Sequence, residues 1–334
     1  MHVDGGHGGG QLVRTALSVS ACTGKSLTIE NIRAKRPKPG LQPQHLCCVH
    51  ALSEITEAEA EDAALGATAL KFRPTALKGG HFSWDIGTAG SAALLLQCVL
   101  PPLLFAEKKS TLTITGGTDV PFAPPSFFME RVFPKALEAF GVRVRTRIVR
   151  HGFYPKGGGR LQAEITPKAA LKPASFLQRP KCNALNATIL SAGLPSHVVE
   201  REKKILETQG VQAAIKNVPA SSPGNLVFLE RDEFNAFSSL GKPGKKAEQV
   251  AKDALDECKA FDEGTDALEP HVLDQLLLYA ALAEGESRFC VSNVSDHAQT
   301  NLGVLSTLLA TDVGIQDGVL TIKGAPAHPK IYTI

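Results

Sequence analysis

The stretch from Arg150 to Arg160 reads RHGFYPKGGGR, and its residue types suit a bound anion. Three consecutive glycines let backbone N–H groups approach a phosphate with no side chain in the way. Between Glu138 and Glu164 the chain has no acid but six Lys or Arg, which gives the stretch a positive potential. The competing reading is a tight hairpin with glycines in its turn and a solvated basic edge. A second glycine-rich segment, GGHGGGQ from Gly5 to Gln11, opens directly into an apolar helix carrying Arg14 on its first turns. Two such loops in one chain point to a polyphosphate or nucleic-acid substrate. His297 lies in SDHAQTN (Ser295–Asn301), just ahead of an expected helix. A histidine there can act as nucleophile, base or ligand, or, like Asp296, as a helix cap.

Several chemistries are excluded by spacing. There is no HExxH and no CxxC pair, and Cys47-Cys48 has the wrong spacing for a zinc site. Gly24-Lys25-Ser26 resembles the end of a Walker A loop, but Val19 stands where its first glycine belongs, so Gly24 reads as a helix C-cap. A net charge of +3 does not by itself identify a nucleic-acid binder; the crowding of Arg33, Lys35, Arg36 and Lys38, with no acid from Asn31 to Ser53, says more. Seven cysteines in mostly apolar surroundings read as small core residues in a reducing compartment. The apolar run Ala92–Ala106 contains Gln97, Pro101 and Pro102 and is too short and broken to span a bilayer. Residues 1–10 are mostly Gly and lack the apolar stretch of a signal peptide, so the expected compartment is the cytoplasm, with no membrane partner.

The elements that must position these residues recur along the chain. Segments starting at Gly8, Gly87 and His271 each read as an apolar helix, a short turn, a β-rich strand and a polar loop. The strands align as Leu27-Thr28-Ile29, Leu112-Thr113-Ile114 and Phe289-Cys290-Val291, and further helices are expected at Gln44–Ile55, Phe127–Phe140 and Thr300–Leu309. This alternation predicts an α/β fold with helices covering a sheet. The pattern changes between Lys181 and Thr265, where the text is more charged and ends in an amphipathic helix, Ala247–Ala260. We therefore expect residues 1–180 and 266–334 to form a large repeat-built catalytic domain, and 181–265 a smaller inserted α/β domain. The loops after the aligned strands carry Arg33–Gly40, Gly116–Pro125 and Ser295–Asn301, and they are expected to converge on one cleft at the sheet ends.

Taken together, DGGHGGGQLVRTALS, IRAKRPKPGLQPQHL, GTAGSAALLLQ, GGTDVPFAPP, RHGFYPKGGGR, LDQLLLYAALA and DHAQTN resemble the RNA 3′-terminal phosphate cyclases over nearly the whole chain, most weakly in the insert. The resemblance implies three repeats of a four-stranded sheet backed by two helices, with a smaller α/β domain inserted before the third. It implies an ATP-dependent ligase that closes an RNA 3′-phosphate into a 2′,3′-cyclic phosphodiester through a histidine–AMP and an RNA(3′)pp(5′)A intermediate. By resemblance His297 is the nucleophile. Gln11, Gln97, Pro124, His271, Asp274 and Gln275 then match positions of the ATP pocket, and Arg14, Arg33, Arg36 and Gln44 match positions around the catalytic cleft. Asp274 is the implied holder of a divalent metal, Mg²⁺ or Mn²⁺. Arginine forks suit an RNA terminal phosphate.

Two positions depart from the family pattern. His7 stands where most relatives have Glu, which weakens a metal site unless His7 is itself a ligand. His271 stands where most have Tyr, which weakens stacking on adenine. The alternatives are a cyclase-like RNA-binding protein without catalysis and an enolpyruvyl transferase built from the same unit. The presence of His297 opposes the first, and the glycine-rich and histidine motifs oppose the second. The sequence leaves the oligomeric state open.

Overall fold

The computed structural model describes residues 1–325 apart from His7 and Asn183. The chain opens with β1 (His2–Asp4), α1 (Gly10–Thr23), β2 (Leu27–Glu30), α2 (Pro43–Thr56), β3 (Glu59–Glu61) and β4 (Leu70–Arg73). Next come β5 (His81–Asp85), α3 (Ala92–Leu103), β6 (Ser110–Gly116), a π-helical turn (Phe128–Val132), α4 (Phe133–Glu138), β7 (Arg143–Arg150), β8 (Gly159–Thr166) and β9 (Ser175–Phe176). The stretch from 186 holds β10 (Asn186–Ala192), α5 (Ser196–Thr208), β11 (Gln212–Asn217), β12 (Gly224–Glu230), β13 (Ala236–Leu240) and α6 (Ala247–Glu263). The chain ends with α7 (Pro270–Leu282), β14 (Glu286–Cys290), α8 (Asp296–Leu309), β15 (Asp312–Gln316) and β16 (Val319–Lys323).

The strands form four mixed, four-stranded sheets, so the fold is α/β. Three have one order of pairing: β1-β2-β4-β3, β5-β6-β8-β7 and β9-β14-β16-β15. In each, the first two strands are parallel and the other two pairings antiparallel. A parallel pair needs a crossover, and the apolar helices α1, α3 and α7 supply it. The fourth sheet runs β11-β10-β12-β13.

Period-two patterning orients the strands. In β8, Gly159, Leu161, Ala163 and Ile165 point inward while Arg160, Gln162, Glu164 and Thr166 face out. In α1 nearly every residue from Leu12 to Thr23 is buried, because α1 is enclosed by α2, α3 and α8. Gly24 ends it with φ 68°, donating its N–H to the Ser20 carbonyl, as a C-cap glycine does. The fourth sheet has two apolar faces. Ile189, Val227 and Leu229 pack under α5 and α6 in a core of their own, whereas Leu190, Leu226 and Phe228 join the main core.

Two sequence expectations change. The helix expected over Phe127–Phe140 is a π turn followed by a short α-helix. Pro134 has no N–H to donate at that junction, which disrupts the α register. The helix expected from Thr300 starts four residues earlier, at Asp296, because the Ser295 hydroxyl accepts the Ala298 N–H at 3.1 Å and caps it. His297 therefore sits on the first helical turn rather than in a loop.

Candidate active site

Three helix starts meet around His297. Its Nδ1 lies 2.8 Å from Asp274 Oδ2 on α7. Asp274 also accepts the Gln11 side-chain amide of α1 at 2.8 and 2.9 Å, one contact to each oxygen. One turn beyond His297, Asn301 donates to the Asp274 backbone carbonyl at 3.3 Å and accepts the Thr15 hydroxyl at 2.9 Å. These bonds lock α1, α7 and α8 together. The carboxylate fixes the imidazole proton on Nδ1 and leaves Nε2 as the basic nitrogen. Asp274 is buried, whereas 61% of the His297 side chain meets solvent. The pair thus has a fixed back and an open front.

Two cavities share His297, Gln11 and Arg14 in their walls. One, of about 730 Å³, runs between the main core and the fourth sheet. It is lined by Pro124, Gln97, His271 and Gln275 and by Phe237 and Leu240 from β13. The Gln97 and Gln275 side chains bond to each other. His271 bonds to the Glu269 carboxylate, which by that bond and its charge lifts the imidazole to about 9, so the ring is cationic at neutral pH. Because 85% of the side chain meets solvent, water screens the pair.

The other cavity, of about 850 Å³, is basic. Arg14, Arg33 and Arg36 line it together with Gly8–Gly10, at the N-terminus of α1, and His45. Residues that follow all three aligned strands reach it: Arg33 and Arg36, Val120 and Phe122, and, on the first turn of α8, Asp296 and His297. Helix N-termini and guanidinium forks both favour phosphate. A Cβ at Gly9 would come within 3.0 Å of the Arg36 guanidinium, and one at Gly10 would strike the His45 ring. Burial, then the Arg14 and Arg33 charges, pushes His45 down to about 3, so it is neutral. Its Nδ1 accepts the Gln42 N–H at 3.1 Å, which leaves Nε2–H as a donor. Burial lowers Arg14 as well, partly offset by neighbours including Asp274; a guanidinium stays charged nonetheless.

This arrangement accompanies a clear kinship. Residues 5–315 match the family described as RNA 3′-terminal phosphate cyclase. The RNA 3′-terminal phosphate cyclase of Ectopseudomonas mendocina is 40% identical, over 94% of each chain. That of Pyrobaculum neutrophilum is 40% identical over 92% of this chain and 93% of its own, and that of Archaeoglobus fulgidus is 38% identical over 97% and 100%. The chain belongs to the RNA 3′-terminal phosphate cyclase family. It is a family of ligases, and the chain is an enzyme. Among solved structures, the enolpyruvyl transferase NikO of Streptomyces tendae is 13% identical, covering 98% of this chain and 49% of its own, with a TM-score of 0.42. That match is too loose to bear on function.

Within this cyclase-family chain, every expected site residue that is described reaches one cavity or both. Some carry structural duties too. Gln44 accepts the N–H of Ser91, the cap of α3, at 2.7 Å. Arg33 spends one guanidinium nitrogen on the Lys38 and Gly40 carbonyls of its own loop, at 2.8 and 3.2 Å. His7 lies outside the described residues. Among the described residues no group of three or more His, Cys, Asp or Glu could hold a metal ion. Both Asp274 oxygens already accept hydrogen bonds, and His7, the other implied ligand, is not among those residues.

Of the two readings of the glycine-rich stretch Arg150–Arg160, the hairpin is the one observed. The stretch is the end of the β7–β8 hairpin, and only Tyr154 of it lines the basic cavity. Its glycines serve packing: Gly152 and Gly159 face each other backbone to backbone, and a Cβ at Gly157 would meet Ala89 Cα at 2.8 Å. Gly157 and Gly158 also take φ 63° and 70°. His151 is buried against Asp119 at 3.0 Å. The sequence reading missed Asn301, Thr15 and His45 as site residues. Asn301 was detectable, being four residues after His297 and so on the same helical face.

Proposed function

We propose that this protein uses ATP to convert an RNA 3′-terminal phosphate into a 2′,3′-cyclic phosphodiester, with His297 as the adenylated residue. The observation that carries the reading is the His297–Asp274 pair at the junction of an apolar, nucleoside-sized cavity and an arginine-lined one. ATP occupies the first cavity, with its base beside Pro124, His271, Gln97 and Gln275. The RNA terminal phosphate occupies the second, held by Arg14, Arg33, Arg36 and the His45 Nε2–H, with Gln44 in the wall.

His297 Nε2 attacks the α-phosphorus of ATP; the N–P bond forms and pyrophosphate leaves. As the ring becomes cationic, the Asp274 carboxylate balances it, while Gln11 and Asn301 keep that carboxylate in place. An oxygen of the RNA 3′-phosphate then attacks the same phosphorus, breaks the N–P bond and gives RNA(3′)pp(5′)A. The vicinal 2′-OH finally attacks the terminal RNA phosphorus and AMP leaves. Adenylation is needed because a phosphate monoester has no good leaving group.

The three sheets of common pairing order are, in this reading, copies of one unit in a catalytic domain of residues 1–180 and 266–334. Residues 181–265 are an insert that supplies the far wall of the ATP cavity. No helix among the described residues is long and apolar enough to cross a membrane. The free thiols, mostly buried, suit a reducing cytoplasm.

The test is incubation with α-labelled ATP followed by denaturing electrophoresis and acid treatment. An acid-labile label on the protein that disappears in His297→Ala, followed by cyclisation of a 3′-phosphorylated RNA, is the expected result. Label retained in His297→Ala rejects the nucleophile. No label on the wild type under any metal condition moves the protein to RNA binding without catalysis.

A further inference from the structure

Phe122 is the most exposed large apolar residue among those described, with a relative exposure of 101%, and its backbone sits at φ 63°. Both features work against stability. A full aromatic ring in water contributes no burial, and a left-handed backbone is strained at a residue other than Gly. At that exposure no packing contact offsets them, yet Phe122 is among the residues that line the arginine cavity. Tyr154, 67% exposed, lines the same cavity.

The two aromatics are presented by loops that are locked together underneath. Asp119 Oδ1 accepts the Ser126 N–H at 3.0 Å, closing the loop that carries Phe122. Asp119 Oδ2 takes the Thr118 hydroxyl at 2.9 Å and His151 Nδ1 at 3.0 Å, and Thr118 Oγ1 accepts the Gly152 N–H at 2.9 Å. The last two bonds tie that loop to the hairpin carrying Tyr154. The lock is buried at Thr118, Asp119 and His151. The rings are exposed, but their supports are rigid.

We infer that Phe122 and Tyr154 form a stacking platform for the 3′-terminal base of the RNA, beside the arginines that take its phosphate. This rests on the cyclase reading above. An RNA end offers a phosphate and a base together, and the cavity offers guanidinium forks and unpaired aromatic faces together. Unstacked bases are bound on such faces without sequence preference. Phe122 also borders the first cavity, so the test must separate RNA from ATP.

Two RNAs are compared that end in a 3′-phosphate and differ only in whether the terminal nucleotide carries a base. The wild type should use the complete RNA with a KM about 5- to 100-fold below that of the abasic one, the range expected for stacking of one base. Phe122→Ala and Tyr154→Ala should raise KM for the complete RNA and erase the difference, while in Tyr154→Ala, which lines only the arginine cavity, KM for ATP in self-adenylation shifts less than about twofold. Phe122→Leu, which keeps apolar bulk without a π face, should resemble Phe122→Ala. Equal use of both RNAs by the wild type, or a matching rise in KM for ATP in Tyr154→Ala, overturns the platform. Quenching of a terminal 2-aminopurine on binding gives a readout without turnover. Quenching without cyclisation would refute the reaction and leave the platform standing. Cyclisation without quenching would refute the platform alone.

Discussion

Replacing Asp274 by Asn distinguishes an oriented nucleophile from a histidine that merely lines a cavity. Asp274 receives three hydrogen bonds on its two oxygens, from the Gln11 amide at 2.8 and 2.9 Å and from His297 Nδ1 at 2.8 Å. Asn has the same shape but one oxygen. If that oxygen stays with Gln11, the new NH₂ faces His297 Nδ1, and the ring must move its proton to Nε2 to accept the bond. The nucleophilic lone pair is then gone. If the oxygen turns to His297, two NH₂ groups oppose each other. In both cases a charge-assisted bond worth about 1.5–3 kcal/mol is lost. The imidazolium that develops during attack also loses its counter-charge, an effect limited by the 61% exposure of the His297 side chain. Together these amount to roughly 3–4 kcal/mol, or a drop of about 10²- to 10³-fold in the rate of self-adenylation. Single-turnover labelling at saturating α-labelled ATP measures it, with thermal unfolding as the control for fold. Labelling within about threefold of the wild type, in a folded variant, would refute the orienting role.

Arg36→Ala should raise KM for 3′-phosphorylated RNA about tenfold or more, the cost of one charged hydrogen bond, and affect KM for ATP far less; parallel changes would place Arg36 at the nucleotide instead. His45 makes the stability acid-sensitive. Its folded value of about 3 lies below the ordinary 6.5, so as pH falls below 6.5 the unfolded chain takes up a proton that the native state refuses, and stability drops. Between pH 6.5 and 4 the loss is roughly 3 kcal/mol. His45→Asn, which keeps an acceptor for the Gln42 N–H, should remove that part of the slope in urea unfolding at the two pH values. An unchanged slope would show that His45 titrates normally.

The site's residue types were legible in the sequence because its motifs are local. Gln11 and Arg14 follow the first glycines, Arg33 and Arg36 crowd one loop, and His297 precedes an apolar helix run. The pairing of helix and strand was legible for the same reason: periods of 3.6 and 2 show in any short window. The glycine-rich stretch Arg150–Arg160 left a phosphate loop and a hairpin both open because glycine is needed wherever backbones approach closely. Whether the close neighbour is a phosphate or, as here, Gly152 against Gly159 is set by residues far away in the chain.

Composition and spacing by themselves determined an α/β chain and a basic loop chemistry, and they raised the expectation of three helix–strand units with an interruption near 181–265. Only the tertiary structure decided what those residues do for one another. Gln11 and Asp274 are 263 positions apart and Thr15 and Asn301 are 286 apart, yet both pairs bond. It also decided that His45 is neutral, that Asp274 already has both oxygens in use, and that Phe122 faces water. The reason is physical. Propensity and periodicity act over a few residues and can be read in order, whereas burial, hydrogen-bond partnership and local field depend on which distant helix ends the packing of α1, α7 and α8 brings together.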